Sequence, residues 1–122
     1  NDGLDEVSLF EKTKILTIEN NSIKEEYFDP MKYFNYVDFT IKDLKANSPR
    51  ESAEIILAVA QNKEKNIFRH IVSLNSAFIL MLADMTTDFE SALKMCEENI
   101  DNGSMLKKIE QLREFTNKSQ NA

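Results

Sequence analysis

"IFRHIVSLNSAFILMLAD" runs from residue 67 to residue 84. Drawn as a helix it is apolar nearly all round, the pattern of a helix covered on most of its sides. This segment is therefore expected to be the most buried of the chain. Ile71, Leu74, Phe78 and Leu82 should face inward, with Ala77 small enough to let a neighbouring helix approach. Asn75, polar in the middle of the run, needs a hydrogen bond, most simply to the backbone of a neighbouring element. A helix of this kind demands partners, and the flanking sequence shows which it has.

Upstream, "NKEKN" (62–66) reads as a polar loop, and "SPRE" (48–51) as the start of another helix. Ser48 stands at the N-cap, Pro49 at the first helical position and Glu51 at the third, a capping box with proline in its favoured slot. Ala53, Ile56, Leu57 and Ala60 follow at helical spacing. Downstream, Thr87 with Glu90 makes a second capping box, followed by the stripe Phe89, Ala92, Leu93, Cys96 and Ile100. Gly103 is placed to end that helix in a left-handed conformation. Ser104 starts a last helix with Leu106, Ile109 and Leu112 inward, and "KSQNA" (118–122) should fray.

Nearer the beginning, "TKILTI" (13–18) and "IKEEYF" (23–28) are rich in Ile, Thr and aromatic residues and are joined by "ENNS". Asn20 and Asn21 tolerate positive φ, so these runs read as a β-hairpin with a tight turn. Asp29-Pro30 stops the second strand. The pattern from Met31 to Ala46 is weak, with Thr40 and Asp43 placed to cap a short helix. One hairpin and three amphipathic helices cover fewer sides than the 67–84 helix asks for, and a two-stranded hairpin is marginal alone. The fold class is therefore expected to be α/β: a β-hairpin followed by about four helices, forming part of a larger α/β domain.

With 122 residues the chain has the length of one domain, here 1–117 plus the tail. Its net charge of −6 and pI near 4.8 argue against nucleic acid and anionic membranes as partners, since both call for a basic surface. No apolar stretch reaches the ~20 residues of a membrane-spanning helix. The single cysteine, Cys96, excludes an internal disulfide framework and suits a reducing cytoplasm. Two glycines are too few for a glycine-rich phosphate cradle, whose backbone amides must approach the anion closely.

Few residues invite a chemical role. Asp5 and Glu6 form an adjacent acidic pair ahead of the first strand, but Glu25-Glu26 and Glu97-Glu98 are equally adjacent. With 21 acidic residues, random placement gives about 3 to 4 such pairs, so composition alone leaves the doublet as background. His70 has no second histidine with which to share a metal and reads as a packed or surface residue. Cys96 falls on an apolar stripe with no histidine near it in sequence, so it reads as core rather than nucleophile.

Four blocks taken together carry a resemblance: "DGLDEVS" (2–8), "SPRESAEII" (48–56), "LNSAFILMLAD" (74–84) and "ENIDNGSMLKKIEQL" (98–112). In order and spacing the chain resembles the C-terminal third of the anthranilate phosphoribosyltransferases, from Asp2 to about Asn117. The resemblance implies the C-terminal portion of a nucleoside phosphorylase/phosphoribosyltransferase-type catalytic domain. It implies transfer of the phosphoribosyl group of phosphoribosyl pyrophosphate to anthranilate in tryptophan biosynthesis, in a cytoplasmic, homodimeric full-length enzyme. It also implies Mg²⁺ as cofactor, with the metal role on Asp5 and Glu6. The "GTGGD"-type loop that cradles pyrophosphate in such enzymes does not occur here, so the chain is expected to be partial and inactive alone, with no catalytic residue of its own. Ser8 stands near enough to meet phosphate or water and equally suits a strand edge. Two other readings compete: a related phosphoribosyltransferase-like or nucleoside phosphorylase protein with another acceptor, and a non-catalytic helical interaction module.

Overall fold

Asn20 and Asn21 take φ of 48° and 59°. Two successive left-handed residues make the two-residue turn whose twist matches that of the flanking strands. Around it β1 (Thr13–Glu19) and β2 (Ser22–Phe28) pair antiparallel, from Thr13 opposite Phe28 to Glu19 opposite Ser22. Successive side chains alternate between faces. Leu16, Ile18, Ile23 and Tyr27 lie on one, all exposed, with the Lys14–Glu25 ion pair at 2.7 Å between the strands. Thr13, Ile15 and Thr17 lie on the other and are half-buried.

The hairpin belongs to the first of two compact units, residues 1–45 and 46–122. The computed structural model describes residues 3–34, 39–63 and 66–120, with side chains followed as far as Asn117. After β2 the chain turns as expected at Asp29-Pro30. The Asp29 carboxylate accepts from the Met31 amide at 3.2 Å and caps a short 3₁₀ turn, Pro30–Lys32. Thr40 and Asp43 cap a second one, Ile41–Leu44, the Thr40 amide and hydroxyl both donating to Asp43 Oδ2 at 2.7 and 2.9 Å. The second is the short helix expected with Thr40 and Asp43 at its cap.

The second unit holds four helices: α1 (Pro49–Ala60), α2 (Ile67–Leu82), α3 (Phe89–Asp101) and α4 (Ser104–Gln120). Ser48 Oγ accepts from the Glu51 amide at 3.1 Å. Glu51 reaches back one residue further than a standard capping box, to the Asn47 amide at 2.7 Å. Asn66 caps α2 by accepting from the Phe68 amide. Gly103, at φ 78°, follows the last turn of α3 as expected, and its carbonyl accepts from the Lys107 amide to open α4.

Leu74 and Ala77 of α2 are wholly buried, as are Val59 and Ala60 of α1 and Ala92 of α3, with Cys96 and Ile100 close behind. Phe78 meets Phe89 at 5.3 Å between ring centroids, where α3 begins. Arg69 is buried among these helices, and its guanidinium donates to Asp101 Oδ1 at 2.9 Å, Asn62 Oδ1 at 2.7 Å and the Glu97 carbonyl at 3.4 Å. It thus ties α2 to the last turn of α3 and to the loop after α1, the arrangement that lets a cation be buried.

Several sequence expectations fail here, each for a local reason. Leu82 is 86 % exposed rather than inward, because the covered face of α2 ends with Phe78 against Phe89 and Leu82 projects a turn beyond. Leu112, expected inward, is 61 % exposed; Ala53, Ile56 and Leu57 do follow at helical spacing on α1, on a face that is exposed. Helical spacing shows which residues are apolar, not which of them have a neighbour. Asn75 donates to the Ile71 carbonyl at 3.1 Å, in its own helix rather than in a neighbour, since the carbonyl four residues back is always within reach. The cap of α3 is Asp88, which accepts from the Ser91 amide at 2.8 Å, one residue later than the expected Thr87. A carboxylate is the stronger acceptor for an orphan helix amide.

Candidate metal centre

The loop ahead of β1 is organised by one serine. Ser8 is buried, its hydroxyl accepting from the amides of Phe10 at 2.9 Å and Glu11 at 3.1 Å, while its own amide donates to Thr13 Oγ1 at 3.2 Å. Leu9 beside it is wholly buried. A hydroxyl that accepts two amides, as a helix cap does, closes a local turn with little freedom left. Ser8 therefore anchors the loop ahead of β1, and its hydroxyl proton is still able to donate. The turn at 9–11 also separates the acidic pair from β1, which begins only at Thr13.

Ahead of that anchor, Asp5 and Glu6 are both exposed, following Gly3 at φ +87°, a conformation that favours glycine. Glu6 borders a depression of about 290 Å³ together with Ser8, Lys12, Lys14 and Tyr27; Asp5 does not line it. The nearby lysines are engaged elsewhere, Lys12 with Asp29 at 3.1 Å and Lys14 with Glu25 at 2.7 Å. The Lys12 ammonium holds the Asp29 carboxyl below the usual carboxylate range, helped by the Met31 amide. Among the described residues no group of three or more His, Cys, Asp or Glu side chains comes together to hold a metal ion. The structure thus presents two exposed carboxylates on an anchored loop and no closed cage. That donor set suits Mg²⁺, which commonly takes one or two carboxylates and completes its octahedron with water and substrate phosphate. It does not suit Zn²⁺, which asks for nitrogen or sulfur ligands in a tetrahedron.

The other candidates fall away as metal ligands or nucleophiles. His70 is half-buried on α2, and burial, with Arg69 beside it, lowers its pKa. Cys96 is buried on α3, where burial and then Glu97 push the thiol up, away from the reactive thiolate. Sequence reasoning passed over Arg69, which orders the helical unit. The signal was present: within residues 67–82 it is the one permanently charged residue, and a cation in so apolar a run requires a counter-ion.

Residues 1–106 match the family described as "Glycosyl transferase family, a/b domain". Among similar proteins, the anthranilate phosphoribosyltransferase of Caldicellulosiruptor saccharolyticus is 35% identical over 113 residues, which cover 93% of this chain and 33% of that protein. Its namesake in Methanobrevibacter smithii is 34% identical over 116 residues, 95% of this chain and 34% of the relative. That of Aquifex aeolicus is 29% identical over 116 residues, with the same shares. The chain spans about a third of the length of the curated relatives it matches.

Proposed function

The chain belongs to the glycosyl transferase family, a/b domain, and from that premise we propose that it is the C-terminal third of an anthranilate phosphoribosyltransferase. The observation that carries this reading is the likeness to relatives of that name along more than nine-tenths of the chain. The family is broader than one acceptor, so anthranilate as the acceptor rests on the relatives' names. In this reading the phosphoribosyl group of phosphoribosyl pyrophosphate passes to the anthranilate amine, giving N-(5-phosphoribosyl)anthranilate and pyrophosphate. The full-length enzyme is a cytoplasmic homodimer. Among the described residues no helix is long and apolar enough to cross a membrane.

The contribution of this chain is to hold and position. Asp5 and Glu6 would hold Mg²⁺, which when bound offsets the charge gathering on the pyrophosphate leaving group. Ser8 anchors the loop just after them by closing the turn at 9–11, with Leu9 buried beside it. The carboxylates cannot retain pyrophosphate unaided, because anion repels anion. Backbone amides of a glycine-rich loop have to face them, and with two glycines this chain has no such loop.

The test uses a full-length enzyme with this segment in place of its own C-terminal third. Asp5→Asn combined with Glu6→Gln should lower Mg²⁺-dependent turnover at least about tenfold, as removal of groups that stabilise leaving-group charge does. An unchanged Mg²⁺ dependence would remove the assignment. The 122-residue chain alone should show no Mg²⁺-dependent binding of phosphoribosyl pyrophosphate by titration calorimetry.

A further inference from the structure

The acidic pair sits between two points where the backbone is constrained. On one side Gly3 takes φ +87°. On the other Ser8, only 3 % exposed, holds the amides of Phe10 and Glu11 with its hydroxyl and donates its own amide to Thr13 Oγ1. Residues 4–7 lie between these points: Leu4 and Val7 are half-buried, and Asp5 and Glu6 stand exposed between them. Leu4, Glu6 and Ser8, every second residue, line one depression, which Asp5 does not reach. Glu6 therefore shares its side of the loop with the anchoring serine, two positions further on.

How firmly a pair of carboxylates is held bears on which cation it prefers. Mg²⁺ requires a near-ideal octahedron with short bonds, whereas Ca²⁺ accepts more oxygens at longer and more variable distances. A loop whose carboxylates can shift keeps its hold on Ca²⁺ and loses it on Mg²⁺. We propose that Ser8 is a positioning residue for the metal site, and that by anchoring the loop beside Glu6 it sets the preference of the acidic pair for Mg²⁺ over Ca²⁺. The inference rests on the metal reading above and deepens it, since that reading assigns two carboxylates and nothing that makes them selective. Ser8 acts through Glu6. With its oxygen accepting two amides, it fixes the course of the backbone that follows Val7, and with it the reach of the Glu6 carboxylate.

Mg²⁺ and Ca²⁺ titrations of the 122-residue chain, followed residue by residue through its amide NMR signals, test this without turnover. In the unaltered chain the Asp5, Glu6 and Val7 signals should move with Mg²⁺ while those of β1 and β2 stay in place. Ser8→Ala should raise the Mg²⁺ midpoint about tenfold, the scale seen when a group that orients a metal ligand is removed, and the Ca²⁺ midpoint less than about threefold. Ser8→Thr, which keeps the hydroxyl, should stay within about twofold of the unaltered chain for both cations. Equal weakening of the two cations in Ser8→Ala would overturn the proposal, as would an unchanged Mg²⁺ midpoint. Loss of the hairpin signals in that variant would overturn it too, by placing the effect of Ser8 on the fold rather than on the site. Asp5→Asn with Glu6→Gln separates the two readings. If the double substitution abolishes the Mg²⁺ response while Ser8→Ala leaves it unaltered, the metal site stands and the role of Ser8 falls; if the response survives the double substitution, both fall.

Discussion

The two units of this chain are ordered by different means. Residues 1–45 are held by the β1–β2 ladder and by short-range hydrogen bonds around it: Ser8 to Phe10, Glu11 and Thr13, Asp29 to Met31, Thr40 to Asp43. Their hairpin keeps one apolar face exposed. Residues 46–122 are held by contacts between helices, with Leu74, Ala77 and Ala92 wholly buried and Arg69 joined to Asp101 across 32 positions. The contrast teaches where each property resides. The helical unit supplies most of the buried apolar residues among those described, and hence most of the stability; the hairpin unit supplies a locally fixed loop that presents two carboxylates to solvent.

The largest effect expected from this contrast is at Leu74. Leu74→Ala should cost about 2–5 kcal/mol through lost transfer energy and the cavity left behind, measured by urea unfolding followed through helical signal. Leu16→Ala, on the exposed hairpin face, should stay within about 0.5 kcal/mol. Comparable costs at the two positions would break the comparison.

Arg69 sharpens it. Arg69→Ala removes a buried cation with three hydrogen-bond acceptors and should cost about 1.5–3 kcal/mol in the same unfolding assay. Asp101→Asn keeps an oxygen acceptor but removes the counter-charge of the buried guanidinium, and should cost about 1–3 kcal/mol.

In the first unit Ser8→Ala should cost about 1 kcal/mol, the usual loss when a capping hydroxyl is removed. Amide exchange at Phe10 and Glu11 should accelerate several-fold while the helical unit keeps its protection. Acceleration spread through both units would show that the loop is not ordered locally.

The smallest effect is one of pH. Burial, with Arg69 adjacent, places the His70 pKa in the folded chain below its ordinary value of 6.5. The unfolded chain therefore binds the proton more readily, and stability rises with pH. The His70 contribution is complete above about pH 6.5 and is lost as pH falls through the lower folded value. Stability should decline modestly between about pH 7 and pH 5, and His70→Gln should flatten the decline. Asp29, Asp43 and Asp88, whose pKa values are also lowered, titrate below their ordinary 3.8 and leave that window clear.

Much of the fold was legible in residues whose conformational demands are local. Asn20-Asn21 specified the hairpin turn and its register, Ser48-Pro49 the start of α1, Gly103 the break between α3 and α4. The Thr87/Asp88 error shows the limit of such signals: two acceptors stand side by side, and only backbone geometry chooses between them. The acidic pair was visible as a motif by its resemblance to a family, yet composition could not distinguish it from Glu25-Glu26 or Glu97-Glu98. The part Ser8 plays as anchor of its loop rests on hydrogen bonds that no spacing rule contains.

By itself the sequence determined what short-range chemistry can determine: which segments turn, where helices begin and end, which faces are apolar, and which family the motifs resemble. Only the tertiary structure decided coverage. It set Leu74 at zero exposure and Leu82 at 86 %, though both lie on one apolar helix. It also joined Arg69 to Asp101 and placed Glu6 at the edge of a depression that Asp5 does not line. The reason is physical. A turn or a cap is settled by the energies of a few neighbouring dihedrals and hydrogen bonds, whereas burial depends on which distant segment arrives, and residues far apart in the chain carry no local trace of that meeting.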